Sequence, residues 1–177
     1  MQPSLTDRLC THCALCCDGT LFADVELAGR KEATRMEAIG LEVEDGDGED
    51  ALLVLPCRAL EGKRCGIYVH RPQCCRTFEC GLLHNVRRGA VGVERAEQHI
   101  ADALARVGRV KTLLAQLGAH AESLSLKERV ADALARDSVT NVDASRRRAE
   151  LEAEMSALET SIRRTFLGSV GKGKPVP

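Results

Sequence analysis

The apolar positions of this chain change their spacing near residue 90. From Glu94 onward, Ala96, Ile100, Ala103, Leu104, Val107, Val110, Leu113, Leu114 and Leu117 recur in steps of three and four, the period of one helix face. Gly118 is placed to end that helix. Ser125-Leu-Lys-Glu128 has the form of a capping box and predicts a second helix to about Arg136. Leu151, Met155, Leu158, Ile162 and Phe166 predict a third over about 144–167, with Asp143 as its cap and Gly168 as its stop. Ala-Asp-Ala-Leu-Ala-Arg occurs at 101–106 and again at 131–136, but an array needs at least three units. Arg146-Arg-Arg148 and Arg163-Arg164 read as solvated faces.

Before residue 90 the apolar runs are short. Cys10 to Cys17 reads as a loop ending in an Asp18-Gly19 turn. Leu21–Leu27 suits a strand or a helix entry, and Arg30–Ile39 a short helix closed by Gly40. Glu42–Asp50 is an acidic, glycine-punctuated hairpin loop; it lacks the spacing and closing Glu of a calcium loop. Ala51–Leu55 reads as the returning strand, which delivers Pro56-Cys57. The expected architecture is a small α+β fold. A loop-rich cysteine domain with a short hairpin and helix (1–88) precedes an extension of two to three amphipathic helices (89–170) and a disordered tail (171–177). The extension suits a helical hairpin, a coiled-coil-like arm, or a cover for the front domain.

Composition sharpens the front half. All nine cysteines lie in the first 80 residues: Cys10, Cys13, Cys16, Cys17, Cys57, Cys65, Cys74, Cys75 and Cys80. Aromatics are only 2% of the chain, and three of its four (Phe22, Tyr68, Phe78) fall in that part. A domain so short of large side chains needs a staple, metal or disulfide. The N-terminal stretch has no apolar signal core, and Ala51–Leu55 is far short of the ~20 residues of a membrane span. A cytoplasmic location follows as the expectation, where thiols stay reduced and metal is favoured over disulfides. Residues 1–80 hold 9 Lys/Arg and 14 Asp/Glu, and the rest 16 and 12. That asymmetry is too mild for a nucleic-acid face.

Cys-x-x-Cys lets two thiolates reach one tetrahedral ion. Cys10, Cys13 and Cys16 extend it to the triple spacing that also wraps an iron–sulfur cube, so zinc and iron both stay open. Adjacent residues of an extended backbone point opposite ways. Cys16 and Cys17 therefore serve two centres, or one of them is spare. Arg58, Lys63, Arg64, Arg71 and Arg76 lie near the later cysteines and could neutralise thiolate charge. Arg71, Arg76 and Tyr68 are the candidate neighbours of the ligands, the two arginines as outer donors to sulfur, and Tyr68 and Phe78 are expected in the small core between the centres. His12, His70 and His84 are not expected to be ligands. No Ser–His–Asp set or P-loop is present in the sequence.

The run Cys10-x2-Cys13-x2-Cys16-Cys17, then Cys57, then Cys65-Gly-Ile67-Tyr68-x-x-Arg71-Pro72-x-x-Cys75-Arg76-x-Phe78-x-Cys80 resembles the CxxCxxCC cysteine-cluster family (the YkgJ-like proteins), a zinc- or iron-chelating domain. The resemblance covers residues 10 to about 82 and stops before the helices. It implies the ligand set Cys10, Cys13, Cys16, Cys17, Cys57, Cys65, Cys75 and Cys80, with Cys74 the extra thiol. Relatives often carry Gly where this chain has Ala14, which bears on the loop if that position needs positive φ. A related cluster occurs in a flagellin lysine N-methylase. Three functions compete. The first is a metal-binding module, zinc or iron, with one or two centres, whose helices dock a protein partner or a second copy. The second is an iron–sulfur redox or protein-lysine methyl-transfer enzyme, although no catalytic residue can be named. The third is a thiol sensor or metal-trafficking protein using Cys74 as its redox thiol.

Overall fold

The computed structural model describes residues 4–48, 50–136 and 142–168. Those residues form two compact units, 4–79 and 80–168. The first is small and mixed. Helix α1 (Leu5–Cys13) opens it. The Ser4 hydroxyl accepts the Asp7 N–H at 3.1 Å, and the Asp7 carboxylate accepts the Ser4 N–H at 3.3 Å. This reciprocal cap satisfies two donors that a helix start leaves over. It also places Cys10 and Cys13 on a helix, where the sequence suggested a loop.

Strands β1 (Asp24–Glu26), β2 (Val43–Asp45) and β3 (Ala51–Val54) make one antiparallel sheet in the order β1-β3-β2. Leu53 faces Val25 on one side and Val43 on the other. Along β3, Ala51 and Leu53 are buried while Leu52 and Val54 are less so, the two-residue period of a strand with one covered face. Helix α2 (Arg30–Ala38) sends Ala33 and Met36 into the core that Leu27, Leu41, Ala51 and Leu53 complete. The acidic segment is therefore part strand: β2 takes Val43–Asp45, and Gly46 N–H donates to the Asp50 carbonyl at 3.0 Å to close the turn. The Leu55–Pro56 peptide is cis. Strands β4 (Leu60–Glu61) and β5 (Arg64–Cys65), a 3-10 turn (Tyr68–His70) and helix α3 (Gln73–Thr77) follow.

The expected aromatic core is a correction. Tyr68 is 50% exposed and Phe78 39%. The interior is aliphatic instead, with Leu9, Leu15 and Leu55 also buried. The Tyr68 ring lies under the Arg71 guanidinium at 3.8 Å, and Phe78 meets Phe22 edge-on at 5.4 Å.

The second unit is helical: α4 (Gly81–Arg87), α5 (Val93–Gln116), α6 (Leu126–Ala135) and α7 (Val142–Ile162), closed by a π-helical turn (Arg163–Leu167). The predicted stripes are the buried faces. Ala96, Ile100, Ala103, Val107, Val110, Leu113 and Leu114 line α5, and Leu151, Met155, Leu158 and Ile162 line α7. Phe166 is buried beyond them. Helices α5 and α7 pack on each other, with Arg106 and Arg109 reaching Glu154 at 3.5 and 3.2 Å. Ser125 caps α6 as read, while Asp143 lies inside α7 rather than before it. Arg148 is not merely solvated: its guanidinium donates to the carbonyls of Ala133 at 3.0 Å, Leu134 at 3.4 Å and Arg136, at the C-terminal end of α6, where helix carbonyls run out of partners along their own chain. Helix α4 starts where a side chain would not fit, since a methyl on Gly81 would stand 2.6 Å from the Gly168 carbonyl oxygen. The expected tail, 171–177, lies outside the described residues.

Candidate metal centre

All nine cysteines are among the described residues, each is half-buried, and none is joined in a disulfide. Three local devices set their positions. Helix α1 carries Cys10 and Cys13, and Ala14 ends it at φ 63°. That left-handed residue reverses the chain, so Cys17 and Asp18 N–H groups donate back to the Ala14 carbonyl at 2.8 and 3.0 Å. Cys16 and Cys17 therefore sit in a tight turn directly after the helix. Next, the Cys17 carbonyl accepts the Cys57 N–H at 2.9 Å, which joins the first cysteine run to the segment after β3. Finally, the β4–β5 hairpin pairs Leu60 with Cys65 while Leu60 N–H donates to the Cys57 carbonyl at 2.9 Å. This brings Cys57 and Cys65 to the same end of one small loop.

The thiols influence one another in three groups. Cys16 is held well above the usual thiol range by its hydrogen bond with Cys17, then by burial, then by charge on Cys17, Cys13 and Cys10. Cys17 is lowered by the same hydrogen bond, against burial and Asp18, and with help from Arg71. Burial pushes Cys57 up, the Ala59 N–H aimed at its sulfur opposes this, and charge on Cys17 and Cys65 adds to it. Burial also pushes Cys65 up. There the Ile67 N–H and Arg71 oppose, while Cys17 and Glu61 reinforce. In the third group, Cys74 and Cys75 stand with their sulfurs 4.0 Å apart on α3. Their shared hydrogen bond favours the first deprotonation at Cys74 and opposes the second at Cys75, which also feels Cys17 and Cys57.

Cys17 is thus the shared node: it is the largest influence on Cys16, which Cys13 and Cys10 also reach, and its charge extends to Cys57, Cys65 and Cys75. Cys80 belongs to the second unit, where it caps α4 and its sulfur accepts the Leu83 N–H at 3.5 Å. The side-chain rotamers do not form a finished coordination shell: among the described residues, no group of three or more His, Cys, Asp or Glu is disposed to hold a metal ion. The donor set nevertheless fits a soft metal. It is all sulfur, and N–H groups of Ala59, Ile67 and Leu83 already point at three of the sulfurs. Such outer donors stabilise thiolate charge at metal sites.

The surrounding cations take several positions. Arg71 donates to the Tyr68 carbonyl at 3.1 Å, and its charge reaches both Cys17 and Cys65. Arg76 donates to the carbonyls of Arg71 at 2.8 Å and Val69 at 2.6 Å, so it braces the backbone of the Tyr68–Arg71 turn. Arg58 pairs with Glu42 at 2.7 Å, and Lys63 donates to the His12 carbonyl at 2.9 Å. The His12 ring is exposed and bonded to the Arg8 carbonyl at 2.8 Å. Sequence reasoning missed Glu32, a buried carboxylate on α2 that reaches the start of α3. The only hint was an acid in the first turn of a helix whose leading Gly29 has no capping side chain.

A small α+β unit crowded with unoxidised, mutually interacting thiols defines a cysteine-cluster chelating domain. The family described as CxxCxxCC, "Putative zinc- or iron-chelating domain", matches residues 9–98, about half of the chain. The chain belongs to that family. No curated protein and no solved structure matches it. Among the described residues, no helix is long and apolar enough to cross a membrane.

Proposed function

We propose that the cysteine-bearing part of the chain is a structural or electron-carrying metal module for which Cys10, Cys13, Cys16, Cys17, Cys57, Cys65, Cys75 and Cys80 supply thiolates to zinc or iron. Cys74 is the thiol outside that set. The backbone at Cys16 and Cys17 is a turn rather than extended and their thiols are hydrogen-bonded to each other, so in this reading they are the point at which two adjoining centres meet. Cys17 goes with Cys57, Cys65 and Cys75, which together make a complete four-sulfur site; Cys10, Cys13 and Cys16 supply the other, and Cys80 is the eighth thiolate of the set. The observation that carries this reading is Cys17. Its carbonyl is tied to Cys57, and its charge is felt by Cys57, Cys65 and Cys75 alike. Eight thiolates leave such a pair of centres net negative, and Arg71 is the cation whose charge reaches the Cys17 group. The helical unit is proposed as the handle for a protein partner or a second copy, in a cytoplasmic setting.

Metal content per chain tests the assignment. Cys57→Ser is expected to lose one centre and keep the other, while Cys74→Ser keeps the full complement. Equal losses from the two variants would contradict the ligand set. A brown chromophore in the anaerobic protein would select iron–sulfur and revive the redox-enzyme alternative; colourless protein with stoichiometric zinc would dismiss it.

A further inference from the structure

Helix α3 has only five residues, Gln73–Thr77, too few to hold helical form without tertiary support. It nevertheless carries two adjacent thiols, Cys74 and Cys75, packed against the Leu27–Met36–Leu53 core. Something must fix its start. Pro72, fully buried, sets the entry at φ −62° but has no side-chain cap to offer. The missing group comes from 41 residues upstream. Glu32, 9% exposed on α2, accepts the Gln73 N–H at 3.0 Å through Oε1 and the Ala28 N–H at 2.9 Å through Oε2. Arg35 also donates to Oε1 at 3.0 Å, from the surface side.

One buried carboxylate thus ties two places together: the Ala28 N–H just ahead of its own helix, where Gly29 provides no side-chain cap, and the first N–H of α3. Helix α2 is itself fixed, because Ala33 and Met36 are fully buried in the core. We propose that Glu32 is a positioning residue for metal capture, the latch that holds α3 so that Cys75 is presented toward the Cys17–Cys57–Cys65 group. This rests on the metal-binding reading above. Glu32 is not a ligand in this proposal. It acts through the Gln73 N–H, and loss of the cap lets the short helix swing or unwind while the Cys10–Cys13 helix stays in place.

The test is cysteine-by-cysteine alkylation of protein loaded anaerobically with Zn2+, read by mass spectrometry. Glu32→Gln keeps the shape but cannot accept both N–H bonds. Gln73→Pro removes the α3 donor alone, at a first-turn position that tolerates proline. Both variants are expected to raise the alkylation rate of Cys75 at least about 10-fold, as loss of outer-shell support does at metal sites, with Cys10 and Cys13 as protected as in wild type. Arg35→Ala keeps both backbone bonds and should leave Cys75 protected. An unchanged Cys75 rate in Gln73→Pro would overturn the latch, as would an equal rise at all cysteines in either variant. So would Arg35→Ala reproducing the effect. If Zn2+ protects no cysteine of the wild-type protein, the metal reading itself fails and takes the latch with it, a pattern distinct from the others.

Discussion

Ala14 is a non-glycine residue in the left-handed region, at φ 63° and ψ 2°. An L-residue there crowds Cβ against the carbonyl, at a cost of roughly 1–2 kcal/mol. The methyl is nearly buried, at 8% exposure, which offsets part of that strain. Ala14→Gly is therefore expected to stabilise the first unit modestly, by about 0.5 kcal/mol, seen as a raised denaturation midpoint at unchanged metal content. A lowered midpoint would mean that the methyl contact outweighs the strain. This position came to notice through the family resemblance, because relatives often carry Gly there and glycine is what such a turn ordinarily uses. The places of Tyr68 and Phe78 were not legible. A shortage of aromatics suggested that each would be buried, yet Leu15, Met36 and Leu53 fill the interior. The Tyr68 ring is occupied by Arg71 instead. Glu32 was equally silent, because a carboxylate that caps a helix 41 residues away leaves no local pattern.

Among the elements, legibility followed length. Helices α5 and α7 have 24 and 21 residues, enough turns for a 3.6-residue period to stand out. The β4–β5 hairpin and α3 have two-residue strands and five residues respectively, too short to show any period. Helix α1 was hidden for another reason. Its cap uses Asp7 where the familiar box has Glu or Gln, and its cysteines drew attention to metal spacing rather than to backbone. Ser125 was readable because its box is the common form. Ser125 is 1% exposed, and its hydroxyl accepts the Glu128 N–H at 3.3 Å while its own N–H donates to the Glu128 carboxylate at 2.9 Å. Ser125→Ala is expected to cost the helical unit about 1 kcal/mol, a fall of roughly 4–8 °C in Tm for a unit of that size. Metal content should not change. A variant that lost metal instead would show the cap acting on the cysteine unit.

For the chain as a whole, the two units rest on different physics. The helical unit is held by apolar stripes that its own sequence pattern announces. The cysteine unit has a modest aliphatic core, and its thiols are gathered by a hairpin, a left-handed turn and a long-range carboxylate. Burial raises Cys57 and Cys65 above the ordinary thiol value of 9.0, so at pH 7 both carry protons. Thiolate is the form that binds metal, so loading must expel those protons. Metal affinity should therefore rise with pH across the neutral range and fall as the solution is acidified. A pH indicator in weakly buffered protein should register acid on addition of Zn2+; silence would mean that other groups bind the ion.

Cysteine thiolates of this chain are proposed to hold zinc or iron. Elemental analysis of anaerobically purified protein addresses this proposal most directly. The account predicts zinc or iron in whole-number ratio to the chain, with one centre's share lost in Cys57→Ser. Protein that folds with no bound metal, or with its sulfurs joined in pairs, would contradict it.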